Sequence, residues 1–99
     1  MADEEAIKTS IKDHIGKRGG AYSDWYVGIA QNPRDRLFQD HNVDEKKGCW
    51  IYDNAGTKAI AERIEKYFVE ELGTKGNPGG GTDETTSVYA YKIEGYTKQ

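Results

Sequence analysis

The sequence predicts one small α/β domain of the α+β kind, with a three-stranded, mainly antiparallel sheet flanked by helices. Three observations predict this class. A chain of 99 residues has room for one hydrophobic core but not for two. Two segments repeat apolar residues every four positions, as amphipathic helices do. Three short segments rich in aromatic and β-branched residues, separated by Gly and Asn, are typical of strands. The predicted order is α-β-α-β-α-β.

The first helix is predicted from about residue 3 to residue 17. Its apolar positions are Ile7, Ile11 and Ile15, which recur every four residues on one face. Acidic residues precede the stripe and basic residues follow it, as the helix dipole favours. The stripe is narrow, so residues 1–21 are interpreted as a helix that covers another element.

Residues 22–31 are predicted to be the first strand. Gly28 inside this strand indicates a bulge or a close backbone approach. Asn32, followed by a proline, is a typical helix start, and the short helix is expected to end near His41. Asn42 is expected to leave that helix in the left-handed conformation.

The second half of the chain contains the clearest helix. Residues 48–53 read as a strand, and Thr57 is expected to cap the helix that follows. Gly73 is expected to end it. The apolar seam of this helix consists of Ile60, Ile64, Phe68 and Leu72.

The C-terminal part is predicted to contain a flexible Gly-rich loop over residues 79–84 and a strand over residues 85–94. Alternation places Tyr89 and Tyr91 on one side of that strand. If residues 86–93 formed an exposed edge strand, they could pair with another chain. The expected state is therefore a monomer or a weak homodimer.

Charge and composition exclude several classes. The formal net charge is −3, whereas strong sequence-independent nucleic-acid binders are usually basic. A nucleic-acid role therefore needs a local site or a metal ion. No apolar run of about 18 residues predicts a membrane span. The acidic N-terminus does not resemble a secretory signal, and the single cysteine, Cys49, permits no internal disulfide. A cytoplasmic location is expected.

Glu65 is the acid that does not fit the polar face of the long helix. With Ile60 at zero, Leu72 falls at about 120°, Glu65 at about 140° and Val69 at about 180°. A carboxylate withdrawn from water is costly without a cation, a metal or a hydrogen-bond donor nearby. Glu65 is therefore expected either to have such a neighbour or to lie at the solvated rim of the apolar sector.

The segment from Trp25 to Leu37, Trp-Tyr-Val-Gly-Ile-Ala-Gln-Asn-Pro-Arg-Asp-Arg-Leu, resembles the second half of a GIY-YIG nuclease domain. That family has a Tyr-Ile/Val-Gly strand and then a helix with an Arg ten residues after the Tyr, the spacing of Tyr26 and Arg36. A later helix of the family carries a metal-binding Glu, which matches Glu65. An Asn about twelve residues further on matches Asn77.

The resemblance covers residues 22–78, which would form a GIY-YIG-like core, and it has two departures. The family's first motif, Gly-Ile-Tyr about ten residues upstream, is absent. Tyr22, or the last strand with its two tyrosines, could fill its place. In the family a His or Tyr often lies four residues after the Arg; that position is Asp40 here, and His41 follows it. One residue shifts a side chain by about 100° around an α-helix.

The resemblance implies metal-dependent hydrolysis of phosphodiester bonds in nucleic acid. Glu65 would hold Mg²⁺ or Mn²⁺, and Arg36 would clamp a phosphate oxygen. The groups that would orient or deprotonate the attacking water are Tyr26, Tyr22 and His41. The groups that would contact nucleic acid are Arg34, Arg36 and Asn77.

The same residues also have interpretations without catalysis. Arg36 and Asp40 are four apart and could form a surface ion pair. His41 could be a packing residue. Tyr26, Trp25, Trp50 and Tyr52 are more often core or cross-strand partners than stacking surfaces. The alternative function is thus a catalytically silent GIY-YIG-fold module that binds nucleic acid or a protein partner.

Overall fold

A computed structural model describes residues 4–76 and 83–99 and confirms the predicted α+β class and order of elements. The elements are α1 (Glu4–Arg18), β1 (Trp25–Ala30), α2 (α-helical Pro33–Asp35 continued by π-helical Arg36–Asp40), β2 (Trp50–Asn54), α3 (α-helical Lys58–Lys66 continued by π-helical Tyr67–Leu72) and β3 (Ser87–Lys92).

The sheet has the order β1-β3-β2, and β3 is antiparallel to both neighbours. The last strand of the chain is therefore the central strand. The prediction that residues 86–93 form an exposed edge was wrong, because both edges of β3 are paired. β3 therefore has no free edge through which a homodimer could form.

One face of the sheet carries the larger core, covered by α1 and α3. Strand residues that alternate with the tyrosines point to this side, as the period of two requires. The predicted apolar stripe of α1 is confirmed, since Ile7, Ile11 and Ile15 are all buried. The other members of this core are Trp25, Val27, Ala55, Ala61, Ile64, Phe68, Val88 and Ala90.

The opposite face carries a smaller core beneath α2. Leu37 of this helix is fully buried against Tyr89 and Tyr91 of β3. Tyr26, Phe38 and Trp50 pack at its margin and are partly exposed. This face is therefore lined mainly by aromatic rings, and it contains most of the residues that the sequence singles out.

The predicted helix boundaries are confirmed at their caps. The side chains of Asn32 and Thr57 accept hydrogen bonds from the backbone at the starts of α2 and α3. Gly73 ends α3 with φ 88°, and Asn42 follows α2 with φ 58°. Both lie in the left-handed region, which favours Gly and Asn.

One predicted boundary needs correction, and part of one predicted loop lies beyond the described residues. The first strand begins at Trp25, because Tyr22–Asp24 form a 3₁₀ turn. The predicted seam of α3 is present, with Ile64 and Phe68 fully buried and Ile60 and Leu72 partly buried against the same core. Residues 79–82 of the predicted loop lie outside the described residues. Within residues 4–76 and 83–99, every helix is too short or too polar to cross a bilayer.

Candidate functional site

Three tyrosines form the centre of the α2 face. Antiparallel register sets Tyr26 opposite Tyr91 and Gly28 opposite Tyr89. The ring of Tyr26 stacks on that of Tyr91 at 5.3 Å and on that of Tyr89 at 6.4 Å, with interplanar angles of 20° and 18°. Such offset stacking is favourable for aromatic pairs. We call Tyr26, Tyr89, Tyr91 and the adjoining His41 the tyrosine cluster.

Gly28 provides the space for Tyr89. A Cβ built on this glycine would lie only 2.6 Å from Cζ of the Tyr89 ring. The predicted close approach at Gly28 is therefore made by a side chain of the central strand. Any larger residue at position 28 would displace Tyr89 from the middle of the cluster.

His41 connects the cluster to the C-terminal segment. It is 4% exposed, and its Nδ1 lies 2.6 Å from the carbonyl oxygen of Lys98. A carbonyl can only accept, so Nδ1 donates and the neutral ring accepts at Nε2. The hydroxyl of Tyr89, 2.7 Å from Nε2, donates that hydrogen bond. Burial lowers the pKa of His41, which keeps the ring neutral near pH 7.

The π-helical turn of α2 brings Arg36 and His41 together. The backbone N–H of His41 donates to the carbonyl of Arg36 at 2.9 Å, a bond that spans five residues. In this wider turn, residues five apart lie above one another, as residues four apart do in an α-helix. Arg36 and His41 therefore lie on the same side of α2.

Arg36 reaches the cluster from solvent. Its guanidinium donates to the hydroxyl of Tyr89, and it also pairs with Asp40 at 3.0 Å. The predicted Arg36–Asp40 pair is therefore present, but it does not use all the N–H donors of the guanidinium. Arg36 donates to Tyr89, and Tyr89 donates to His41, so three side chains form one directed chain of hydrogen bonds.

Glu65 lies on α3 and is 2% exposed, so it lies inside the apolar sector, and the alternative of a position at the solvated rim was wrong. Burial raises the pKa of Tyr26, the charge of Glu65 raises it further, and Arg36 opposes both. Burial raises the pKa of Tyr89 in the same way, and Arg36 and Glu65 again act on that pKa in opposite directions. The pKa values of both hydroxyls therefore respond to the buried carboxylate of Glu65 and, in the opposite direction, to the guanidinium of Arg36.

A cleft of about 400 Å³ opens beside Tyr26. Lys75 lines it and is attached to the edge of β1 by two backbone hydrogen bonds, to Val27 at 2.9 Å and to Trp25 at 2.8 Å. Because the resulting bridge pairs Lys75 with Tyr26 in parallel, both side chains are on the same face. The rest of the lining consists of Val69, Thr74, Gly76 and Gln99.

Of the other predicted site residues, Tyr22 and Arg34 lie away from the tyrosine cluster. Tyr22 packs against the α1 side of the sheet, near Lys12, and does not join the tyrosine cluster. Arg34 pairs with Glu45 at 2.8 Å rather than pointing toward Tyr89. Asn77 lies outside the described residues. His41 joins the cluster, but both its ring nitrogens are engaged, so it has no nitrogen left to contact an attacking water directly.

Sequence reasoning did not select Tyr89, Tyr91 or Lys75 as site residues. The alternation in β3 indicated that its tyrosines share a face, but only the pairing of β3 with β1 sets them beside Tyr26. No local pattern signalled Lys75, because its position depends on backbone pairing with a strand some 50 residues earlier.

Metal ligands of the usual clustered kind are not found in the part of the chain that the structure describes, where no three His, Cys, Asp or Glu side chains come together. Comparison with family models, with curated proteins and with solved structures finds no match. The function of this chain is therefore inferred from the geometry of its site.

Proposed function

We propose that this chain is a GIY-YIG-like domain that hydrolyses phosphodiester bonds in nucleic acid with a divalent metal ion. The observation that carries the proposal is that the charges of Arg36 and Glu65 act in opposite directions on the pKa values of the same two hydroxyls, those of Tyr26 and Tyr89. A cation that can bind phosphate and a carboxylate that can bind a metal are what the reaction needs at one location.

The position of β3 supports the proposal. In the family, a strand carrying the first motif lies about ten residues upstream of the Tyr-Val-Gly strand, close enough for an antiparallel hairpin. Here the strand antiparallel to β1 comes from the other end of the chain, and it carries Tyr89 opposite Gly28. Tyr89 is thus our candidate for the tyrosine that the missing motif would supply.

Glu65 is the proposed ligand for Mg²⁺ or Mn²⁺. Its oxygens suit a hard cation, and such ions often take one or two carboxylates, substrate phosphate oxygens and water. A single protein carboxylate therefore fits the donor set that the described residues offer. When bound, the ion would polarise the phosphate and lower the pKa of a bound water.

Arg36 is the proposed phosphate clamp, because its planar fork matches two phosphate oxygens. Tyr89 accepts from Arg36 and donates to His41, so these two residues are proposed to hold the guanidinium in position rather than to move a proton. Tyr26 stays protonated, since burial and Glu65 raise its pKa, and it is proposed to orient the attacking water from the cleft.

A silent binding module is the second candidate. The ion pair of Arg36 with Asp40 and the deep burial of Glu65 favour it, because both reduce access for phosphate and hydrated metal. In this version the same surface binds nucleic acid, or a protein partner, without turnover. We propose a cytoplasmic setting for either version.

Cleavage assays separate the two candidates. Labelled single-stranded and duplex DNA and RNA are incubated with Mg²⁺ or Mn²⁺ and with the purified chain. The nuclease proposal predicts cleavage that EDTA abolishes, that Glu65→Gln eliminates and that Arg36→Gln reduces by about 10² or more. Cleavage that persists in Glu65→Gln would mean a contaminating nuclease and would contradict the proposal. Metal-independent binding without cleavage would support the silent module.

A further inference from the structure

A second aromatic group lies on the same face of the sheet, along β2. Trp50 and Tyr52 alternate on this strand, and their rings stack at 6.0 Å with an interplanar angle of only 7°. Register sets Trp50 opposite Tyr91 and Tyr52 opposite Tyr89. The pair is therefore one strand spacing, about 4.8 Å, from the tyrosine cluster.

The Trp50 end of this stack is fixed by its neighbours. The edge of Phe38 packs against the indole at 5.0 Å with an angle of 83°. The indole Nε1 donates to the carbonyl of Glu45 at 3.0 Å. The guanidinium of Arg34 lies 5.8 Å from the Trp50 ring, close enough for a cation–π contact. These contacts hold the indole rigid before any ligand binds.

The Tyr52 end of the stack is exposed to solvent. Tyr52 is 38% exposed, and among the described residues Trp50 is the only ring that packs against it. Arg34 donates to the Tyr52 hydroxyl, so a cation is held at the margin of the ring. Its ion pair with Glu45 is exposed on both sides, and such pairs are weak enough for a phosphate oxygen to compete.

We propose that the Trp50–Tyr52 stack is a binding site for an unpaired nucleobase. The base would extend the stack on the free side of Tyr52, and its phosphate would contact Arg34. Stacking on aromatic rings suits every base, because all bases have a π-face. A flat ring beside a cation favours a nucleotide over an aliphatic peptide side chain, and the stack is continuous with the candidate site. This inference rests on the proposed binding of nucleic acid.

The test measures binding of a fluorescein-labelled single-stranded oligothymidylate in EDTA, which prevents metal-dependent hydrolysis. Anisotropy gives the Kd for the unmodified chain and for Tyr52→Ala, which removes the ring. Tyr52→Phe retains the ring and removes the hydroxyl. Tyr96→Ala is the matched control, since Tyr96 is 44% exposed and lies outside the stack. Trp50 fluorescence is read with unlabelled oligonucleotide, because Trp25 is fully buried and cannot stack on a ligand.

Tyr52→Ala is expected to raise the Kd about fivefold or more, because the stacking ring is lost, while Tyr96→Ala binds like the unmodified chain. Tyr52→Phe keeps the ring and is expected to raise the Kd less than Tyr52→Ala does. Quenching of Trp50 on binding is expected, and it does not depend on any variant folding. Equal affinity in Tyr52→Ala, or binding without quenching, would overturn the stacking site.

These outcomes remain distinct from those of the proposed function. Binding that needs Arg36 but not Tyr52 would overturn the inference and leave the proposed function intact. Binding that needs Tyr52, together with no cleavage of any substrate, would support the stacking site and contradict hydrolysis. No binding of the oligothymidylate at all would overturn the inference.

Discussion

The hydroxyl of Tyr89 lies 2.7 Å from Nε2 of His41, and it also accepts from Arg36. Tyr89 is the residue that joins a solvent-facing guanidinium to a buried, neutral imidazole. Because a hydroxyl has a single proton, its donation to His41 leaves lone pairs for Arg36. The direction of each hydrogen bond in this chain is thereby defined. Removing the hydroxyl oxygen of Tyr89 would eliminate both of its hydrogen bonds.

Tyr89→Phe removes that atom and keeps the ring. His41 then has a buried acceptor without a donor, so we expect unfolding in urea to become easier by about 1–3 kcal/mol. If Arg36 clamps phosphate, its loss of position should lower cleavage by about 10². Tyr91→Phe is the matched control, because the Tyr91 hydroxyl donates to the carbonyl of Lys98 and lies beside Nδ1 of His41, both at 3.1 Å, whereas Tyr89 contacts Nε2. Equal losses of activity in both variants would contradict a positioning role for Tyr89.

Gly28→Ala tests the packing of Tyr89 against β1. The added Cβ would overlap the Tyr89 ring, so we expect a loss of about 1–3 kcal/mol in the free energy of unfolding. Gly16→Ala is the control, since a Cβ at this helical glycine meets no atom within 4 Å. That substitution should instead stabilise the chain by about 0.5–1 kcal/mol. Similar stability of the two variants by thermal denaturation would show that Tyr89 does not occupy this space.

Stability should fall as the solution is acidified below neutral pH. Burial lowers the pKa of both His14 and His41 from 6.5. The unfolded chain therefore binds more protons than the folded chain between that value and the lower folded-state values. Urea midpoints should be lower at about pH 5.5 than at about pH 7.5. His14→Gln should reduce this dependence, and a midpoint that rises on acidification would contradict the burial of both imidazoles.

Lys75 should contribute one phosphate contact. Its side chain is exposed, lines the cleft beside Tyr26 and forms no ion pair with any described residue. Lys75→Gln is expected to reduce the slope of log K against log salt by about 0.7–0.9 for oligonucleotide binding. Lys17→Gln changes an exposed lysine of α1, on the opposite side of the sheet, and should leave the slope unchanged. An equal reduction in both variants would exclude a specific contact at the cleft.

Local features of this fold could be predicted because their causes are local. Asn32 and Thr57 cap helices through bonds to residues three positions away, and these bonds need no tertiary contact. Glu65 was identified by the 3.6-residue period alone. Its burial confirms that the helical wheel is reliable for the α-helical part of α3.

The strand order could not be predicted in the same way. Alternation shows which side chains of β3 share a face, but pairing depends on contacts with β1, some 60 residues earlier. The π-helical turn of α2 could not be predicted from the sequence either. A pattern calculation assumes one helical period, and this turn changes the period between Arg36 and His41. Both features were needed to bring Tyr89 and His41 to the site.

The most direct test of the central claim is an NMR titration of ¹⁵N-labelled chain with Mn²⁺, followed by Mg²⁺. Paramagnetic broadening reports which amides lie near the bound ion. A metal site at Glu65 predicts broadening that is centred on Glu65 and extends to Tyr26 and Tyr89. This broadening should be lost in Glu65→Gln and reversed by excess Mg²⁺. Broadening centred on exposed acids such as Glu70 and Glu71, or an unchanged response in Glu65→Gln, would contradict a metal site at Glu65.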